Sequence, residues 1–118
     1  TLEILDTFDL DPDLLLQAES LLASASIPYQ RGVFATVHGV SGTRRRGEML
    51  ARQHQALCEN MEGAAAARAC QHFGLPLLEL RCISNLVEDR HLQNWHLHKA
   101  CARCGEFATL VVKVLQHV

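Results

Sequence analysis

The segments CENMEGAA, residues 58–65, and ELRCISN, residues 79–85, decide the fold of this chain. Each is predicted to be a buried strand with a polar group at its carboxyl end, Glu62 in the first and Asn85 in the second. An alanine-rich helix is predicted between them. Open α/β sheets bind ligands at the carboxyl ends of their strands, so we expect Glu62 and Asn85 to lie at one edge of a sheet.

Helices and strands alternate along the rest of the chain, as in parallel α/β layering. Asp11 and Pro12 predict a helix start, because Asp caps well and Pro is tolerated in the first turn. The first ten residues predict a short strand or an extended lead-in. The further predictions are a helix from Pro12 to about Ser26, a strand at 32–38, a helix at 44–54, a strand at 56–61, a helix at 62–73, a strand at 77–84 and a helix at 95–117. Three or four strands are few for such a sheet, which predicts an incomplete one.

Length and composition indicate one globular domain across residues 1–118. The net charge of −2 gives no bulk attraction to nucleic acid. No apolar stretch approaches the ~18 residues of a membrane-spanning helix. Acidic residues near the amino terminus replace the basic region of a signal peptide, and the five cysteines suit reduced thiols, so we expect a cytoplasmic protein.

The strand-end residues suit a nucleoside. The ribose diol of a nucleoside needs an acceptor for two hydroxyl groups, which the carboxylate of Glu62 supplies, and Met61 can pack on the sugar face. Asn85 cannot protonate a purine at N7, but it can donate to N7 or O6 and accept from a ring N–H. That pattern favours a 6-oxopurine such as hypoxanthine over adenine.

Structural alternatives stay open for each of these residues. Glu62 could serve only the dipole of a helix start, Asn85 could be a turn cap, and Met61 could be core. Arg81 and Glu79 are typical of a structural ion pair. Zinc is the alternative for three residues that can share a helix face, but ordinary helix residues are favoured and no metal is expected: His98, Cys101 and Cys104.

Three parts of the sequence together resemble the nucleoside phosphorylase and nucleosidase superfamily: the Asp11-Pro12 helix start, residues 59–65 and the strand end at 81–85. Within it, Ser84-Asn85 with Val87-Glu88-Asp89-Arg90 and Trp95 downstream is most similar to the futalosine hydrolases of the alternative menaquinone pathway. Related methylthioadenosine/adenosylhomocysteine nucleosidases carry Glu-Met-Glu and Ser-Asp where this chain has Asn60-Met61-Glu62 and Ser84-Asn85.

The resemblance implies a three-layer α/β sandwich with a mixed β-sheet, apparently incomplete here. It implies a nucleosidase that releases hypoxanthine from futalosine by hydrolysing the N-glycosidic bond, without metal or organic cofactor and as a homo-oligomer. By matching position, Asn85 would be the catalytic residue that faces the purine. The substrate-binding residues would be Val37, His38, Gly39 and Val40 around the base, Asn60, Met61 and Glu62 at the sugar, and Arg90 at the carboxylate of the non-purine arm.

The resemblance covers only the C-terminal portion of such a domain. The acid that activates water is expected in the other portion, and no motif assigns that task to Glu59 or Asp89. We therefore expect impaired activity from this chain alone. Two rival functions stay open: a purine nucleoside phosphorylase, which would depend on phosphate, and a non-catalytic purine-binding or assembly fragment.

Overall fold

A computed structural model describes residues 6–115 and shows helices alternating with strands. The helices are α1 (Pro12–Ser24), α2 (Arg44–His54), α3 (Gly63–Phe73) and α4 (Leu97–Leu115), the strands are β1 (Val33–Thr36) and β2 (Ala56–Asn60), and a 3₁₀ turn spans Leu92–Asn94. The sequence predicted all four helices and both of these strands. The predicted lead-in strand lies partly outside the described residues, and residues 6–10 form no strand.

The helix ends follow the local chemistry of the chain. Oδ1 of Asp11 accepts a hydrogen bond from the backbone nitrogen of Leu14 at 2.9 Å, which caps α1. Thr43 caps α2 in the same way, with Oγ1 3.3 Å from the nitrogen of Arg46. Gly74 ends α3 at a φ of 64°, a left-handed conformation that glycine adopts without steric cost. With these caps, α1, α2 and α3 begin and end within two residues of the predicted positions.

Strands β1 and β2 pair in parallel, with α2 as the connection between them. Thr36 at the end of β1 lies beside Asn60 at the end of β2. The backbone nitrogen of Val37 donates to the carbonyl oxygen of Asn60 at 2.8 Å and extends the pairing by one residue. The carboxyl ends of both strands therefore lie at the same edge.

The predicted strand at 77–84 is wrong as a strand of the described residues, where the sheet has two strands. Burial still alternates along Leu80–Ser84: Leu80, Cys82 and Ser84 are half-buried, whereas Arg81 and Ile83 are exposed. This period of two is that of an extended chain with one covered face. A strand also requires a hydrogen-bonded neighbour, and the sheet recorded in residues 6–115 supplies none to this segment. The mixed sheet expected from the sequence is thus represented here by its two parallel strands.

The core of the described part is small. Its buried apolar residues are Ala18, Leu22 and Ala67. The predicted inner face of α4 is half-buried at Ala100, Cys104, Phe107 and Val111, and more exposed at Val114 and Leu115. None of the helices within residues 6–115 combines the length and the apolar character needed to cross a membrane.

Candidate functional site

Asn60 organises the point where β2 turns into α3. Its Oδ1 accepts hydrogen bonds from three donors: the nitrogen of Gly63 at 2.7 Å, Oγ1 of Thr36 at 3.0 Å and the nitrogen of Glu62 at 3.2 Å. Oγ1 of Thr36 in turn accepts from the nitrogen of Ala64 at 2.9 Å. The first amides of α3 are thus satisfied inside the protein, so this helix start is not a vacant anion site.

The amide nitrogen of Asn60 has a different environment from its oxygen. Asn60 is 8% exposed, and within the described residues Nδ2 is buried without a hydrogen-bond partner. The three donors around Oδ1 fix the orientation of the amide, so Nδ2 cannot exchange places with it. The oxygen of Asn60 shapes the turn from β2 into α3, and its predicted contact with the substrate stays a prediction.

Glu62 lies at the surface immediately after this turn, with its side chain 76% exposed. It occupies the N-cap position of α3 but makes no side-chain capping bond. Oε2 of Glu62 is 3.3 Å from the backbone nitrogen of Met61 and 3.8 Å from Nη1 of Arg81. The helix therefore does not need this carboxylate as a cap, and its oxygens face solvent beside a cation.

Arg81 connects Glu62 to a second carboxylate. Nε and Nη2 of Arg81 each lie 2.7 Å from Oε1 of Glu79, whose side chain is 16% exposed. A Cβ atom on Gly63 would come within 2.8 Å of that same Oε1, so the close approach of Glu79 to α3 depends on glycine. The ion pair predicted between residues 79 and 81 is present, and it also reaches the predicted sugar-binding residue.

A shallow cavity of about 260 Å³ lies in front of these charges. Its lining consists of Glu62, Gly63, Ala66 and residues 77–81. A larger open depression of about 420 Å³ lies on the outer side of α2, lined by Arg45, Glu48, Met49, Arg52 and Gln53. A single helix provides that whole lining and cannot enclose a ligand, so the cavity at Glu62 is the better candidate.

The loop after β1 is fastened to β2 by Ser41 and Glu59. The carboxylate of Glu59 accepts from the backbone nitrogen of Ser41 at 2.8 Å and from its hydroxyl at 2.6 Å, and Ser41 is buried. The predicted base-contacting residues 37–40 lie in the loop that leads to Ser41, with His38 and Val40 exposed. Glu59 therefore has a structural role at the edge where Glu62 emerges.

The loop at residues 85–94 joins the same cluster. The nitrogen of Arg90 donates to the carbonyl oxygen of Gly42 at 3.2 Å, and Oδ1 of Asp89 accepts from the nitrogen of Arg44 at 3.1 Å. The guanidinium of Arg90 lies over the Trp95 ring, 5.8 Å from its centre. The segments after β1, after β2 and after residue 84 are thus held together by backbone and carboxylate contacts.

Asn85 is oriented by its two neighbours in sequence. Its Oδ1 accepts from Oγ of Ser84 at 2.6 Å, and its Nδ2 donates to the carbonyl oxygen of Leu86 at 3.0 Å. Among the described residues, no hydrogen bond or ion pair joins Asn85 to Glu62 directly. The cavity beside Glu62 is lined by residues 62, 63, 66 and 77–81 and does not include Asn85, so the joint role of Glu62 and Asn85 stays a prediction.

The pKa values of two thiols near the site are raised by their surroundings. Burial raises the pKa of Cys58 above 9.0, and the nearby carboxylate of Glu79 adds to the rise. Burial also raises the pKa of Cys82, and the nearby thiol of Cys104 in α4 adds to the rise. Residues 6–115 contain no group of three or more His, Cys, Asp or Glu side chains placed to hold a metal ion.

Two contacts at this site were not predicted from the sequence. One is the Ser41–Glu59 pair, and the other is the reach of Arg81 across to Glu62. The sequence carries only part of the signal for the second contact: the spacing places Arg81 on the same side as Glu79, but it does not indicate Glu62. The first has no local signal, because the two residues lie on different elements.

Comparison with known proteins assigns the chain to a family. A family model described as the phosphorylase superfamily matches residues 2–116. Futalosine hydrolase of Streptomyces coelicolor is 36% identical over 86 residues, which are 72% of this chain and 37% of that protein. Futalosine hydrolase of Thermus thermophilus is 44% identical over 61 residues, which are 52% of this chain and 27% of that protein.

The solved structure of futalosine hydrolase from Helicobacter pylori shares the fold, with a TM-score of 0.86 and 25% identity. The match covers 94% of this chain and 50% of that chain. This chain therefore spans half of that structure and about a third of the two sequence relatives, and the expected nucleoside phosphorylase-like α/β fold is confirmed. Because the family model matches nearly the whole length, this chain belongs to the phosphorylase superfamily.

Proposed function

We propose that this chain supplies the sugar- and base-contacting portion of a nucleosidase that hydrolyses the N-glycosidic bond of futalosine and releases hypoxanthine in menaquinone biosynthesis. The futalosine hydrolases among its relatives support this choice of substrate. The observation that carries it is the exposed carboxylate of Glu62, which lies at the carboxyl end of β2 without serving as a helix cap.

Glu62 has the free acceptors that a ribose diol requires. A carboxylate offers about four lone-pair sites. The nitrogen of Met61 and the guanidinium of Arg81 both approach Oε2, which leaves Oε1 and part of Oε2 for two sugar hydroxyls. Met61 is 47% exposed beside this carboxylate, so its flexible thioether side chain can cover the apolar face of the sugar.

Asn85 retains one donor and one acceptor for the purine. One N–H of its amide is used by Leu86 and one lone pair of its oxygen by Ser84, so the second N–H and the second lone pair are free. The free N–H can donate to N7 or O6 of a 6-oxopurine, while the oxygen accepts from a ring N–H. Asn85 would thus stabilise charge on the departing base through hydrogen bonds and without proton transfer.

The two loops complete the substrate contacts in this proposal. Residues Val37, His38, Gly39 and Val40 would form the wall of the base pocket. Arg90, whose backbone is held by Gly42, would pair with the carboxylate on the non-purine arm. Asn60 would contribute by fixing the turn from which Met61 and Glu62 project.

A water-activating acid is still required. Glu59 is bound by Ser41, Glu79 by Arg81 and Asp89 by the backbone of Arg44. We therefore propose that this acid comes from a part of the domain outside residues 1–118, and that the chain alone turns over futalosine more slowly than the ~1–10³ per second of typical enzymes. The domain is proposed to be single and C-terminal in its parent fold, cytoplasmic because its five cysteines are free thiols, and homo-oligomeric in its complete form.

The test is hydrolysis of futalosine in phosphate-free buffer, with hypoxanthine measured by chromatography. The chain is assayed alone and after co-expression with the uncovered half of a futalosine hydrolase relative. Release only in the second case supports the proposal. Release of hypoxanthine from inosine that depends on added phosphate would replace it with a phosphorylase, and absence of turnover with both substrates in both preparations would leave a non-catalytic role.

A further inference from the structure

The loop that follows Asn85 fixes the position of Trp95 through its backbone. The nitrogen of Trp95 donates to the carbonyl oxygen of Leu92 at 3.1 Å, and the nitrogen of His96 donates to the carbonyl oxygen of Ser84 at 2.8 Å. Because Asn85 follows Ser84 and Trp95 precedes His96, the second bond closes the loop and brings its two ends together. Trp95 is half-buried there. It is therefore a fixed part of the loop that begins at the predicted base-contacting residue.

Arg90 is held against Trp95 from two directions. Its backbone nitrogen donates to the carbonyl oxygen of Gly42 at 3.2 Å, and its Cζ atom lies 5.8 Å from the centre of the Trp95 ring. A cation within about 6 Å of the centre of an indole ring is attracted by the negative face of that ring. Arg90 is exposed, and an exposed arginine without such a contact samples many rotamers. The contact with the ring therefore reduces the freedom of the guanidinium.

The carboxylates beside Arg90 are bound to other groups. Oε1 of Glu88 accepts from Nδ2 of Asn94 at 2.8 Å, and Oδ1 of Asp89 accepts from the nitrogen of Arg44 at 3.1 Å. Within residues 6–115, no hydrogen bond or ion pair engages the side chain of Arg90. Attraction to a ring does not replace the hydrogen bonds of a guanidinium, so its N–H groups stay available to a planar anion. A carboxylate fits them through two parallel hydrogen bonds.

We propose that Trp95 is a positioning residue, which holds Arg90 where the carboxylate on the non-purine arm of the nucleoside binds and so makes the site selective for acidic nucleosides. The inference rests on the proposed function for the identity of the substrate. Trp95 acts through Arg90 and makes no bond to the carboxylate itself. A positioned arginine loses less conformational freedom when its ligand binds, and this increases affinity for the charged nucleoside. The same nucleoside without its negative charge gains nothing from the pair.

The test compares futalosine with its methyl ester, which keeps the arm and removes its charge. Both members of the pair, and the backbone contacts that place them, lie in the described part of this chain, so calorimetry is carried out on residues 1–118 at low ionic strength. We expect futalosine to bind about tenfold more tightly than the ester, because charge-assisted hydrogen bonds to the guanidinium form with the acid alone.

Variants at three positions separate positioning from packing. Trp95→Leu should reduce the preference for futalosine to about twofold or less although Arg90 is intact, whereas Trp95→Phe, which keeps a weaker aromatic face, should show an intermediate preference. Arg90→Gln should abolish the preference, and Trp95→Leu should have no further effect in that background. Arg46→Gln is the matched control, because it removes an equal charge at an exposed position of α2 and should leave the preference unchanged.

The fluorescence of the parent chain gives an independent signal, because Trp95 is the only tryptophan in the sequence. Its emission should change in step with the binding of futalosine. Unchanged emission at saturation would place the arm of the nucleoside away from Trp95 and Arg90, and would overturn the inference.

Three results of the calorimetry would also overturn it. They are equal affinity of the parent chain for the two ligands, a preference that survives Trp95→Leu, and an equal loss of affinity for both ligands in Trp95→Leu, which is the effect of lost packing. Binding of neither ligand would count against this inference and the proposed function together. Equal affinity with hydrolysis of futalosine in the complemented enzyme would leave the proposed function standing. A preference that depends on Trp95, without hydrolysis, would support the inference and count against the proposed function.

Discussion

Oγ1 of Thr36 lies 3.0 Å from Oδ1 of Asn60, and this side-chain contact adds to the backbone bond between Val37 and Asn60 at the ends of β1 and β2. The same oxygen of Asn60 also accepts from the backbone nitrogens of Glu62 and Gly63. The two strand ends and the start of α3 are therefore parts of one hydrogen-bonded unit, and the predicted sugar-binding residues project from it.

Asn60→Ala should destabilise the chain by about 1–3 kcal/mol, because it leaves buried donors without their acceptor. Thr36→Val should cost less, since it removes one bond to Asn60 and one to Ala64 near the surface. Urea unfolding of both single variants and the double variant measures the coupling. If the two effects simply add, the contact between Thr36 and Asn60 contributes nothing to stability.

Gly47→Ala should destabilise the chain by about 1–3 kcal/mol through overpacking. A Cβ atom at this position would lie 2.8 Å from Cβ of Val87 and also collide with Cγ1 of that residue. Gly105→Ala is the matched control, because a Cβ there in the middle of α4 meets no atom within 4 Å. The control should stabilise the helix by about 0.5–1 kcal/mol, and equal thermal shifts for the two variants would contradict the packing of α2 on Val87.

Glu62→Gln should lower kcat/KM for futalosine by about 10- to 150-fold in the complemented enzyme, the equivalent of ~1.5–3 kcal/mol for hydrogen bonds to a charged group. Stability should change little, because Glu62 is exposed and makes no capping bond. Glu48→Gln removes an equal charge on α2, where Glu48 pairs with Arg52 at the surface, and should leave the kinetics unchanged. A similar kinetic loss in both variants would mean that net charge, and not diol binding, is responsible.

Asn85→Asp should shift preference from the 6-oxopurine towards the 6-aminopurine nucleoside by about tenfold or more, since a carboxylic acid can protonate N7 as a general acid. The shift should grow as pH falls, because the acid must carry its proton. Initial rates on both nucleosides over a series of pH values provide the measurement. Gln93→Glu adds the same charge in the same loop at an exposed position, and an equal shift there would contradict a direct contact of residue 85 with the base.

Stability should fall at alkaline pH through Cys58 and Cys82, both of which have a pKa raised above 9.0 by burial. A raised folded pKa means that the neutral thiol is favoured in the native state, so the contribution is complete below pH 9.0 and is lost as pH rises through the folded values. The double variant Cys58→Ala/Cys82→Ala should lose less stability between pH 8 and 10 than the parent chain in urea titrations. Cys101→Ala, which removes an exposed thiol, is the control for the loss of a thiol as such.

Local chemistry made the helices predictable. Asp11, Thr43 and Gly74 each act within one turn of their own helix, so their effect can be seen in a short window of sequence. The strand order could be inferred in the same way for β1 and β2, whose polar ends mark one edge of the sheet. The segment at 77–84 was mispredicted because a strand is a property of a pair, and no strand within residues 6–115 pairs with it.

The predicted site is reproduced only in part. Glu62 follows β2 as expected, whereas the segment before Asn85 is not a strand among residues 6–115, and the substrate contacts of both residues stay predictions. Two of the three donors to Asn60 are local, the amides of Glu62 and Gly63, but the third is Thr36 of the other strand, which no local pattern reveals. The hydrogen bond from Ser41 to Glu59 also joins residues on different elements, so no local pattern predicts it.

The cap formed by Asn60 separates two tasks that many helix starts combine in one side chain. Since the oxygen of residue 60 holds the backbone, the side chain of residue 62 can change without loosening the helix. The side chain at position 62 and the folding of the helix start can therefore change independently under selection, because different residues carry them.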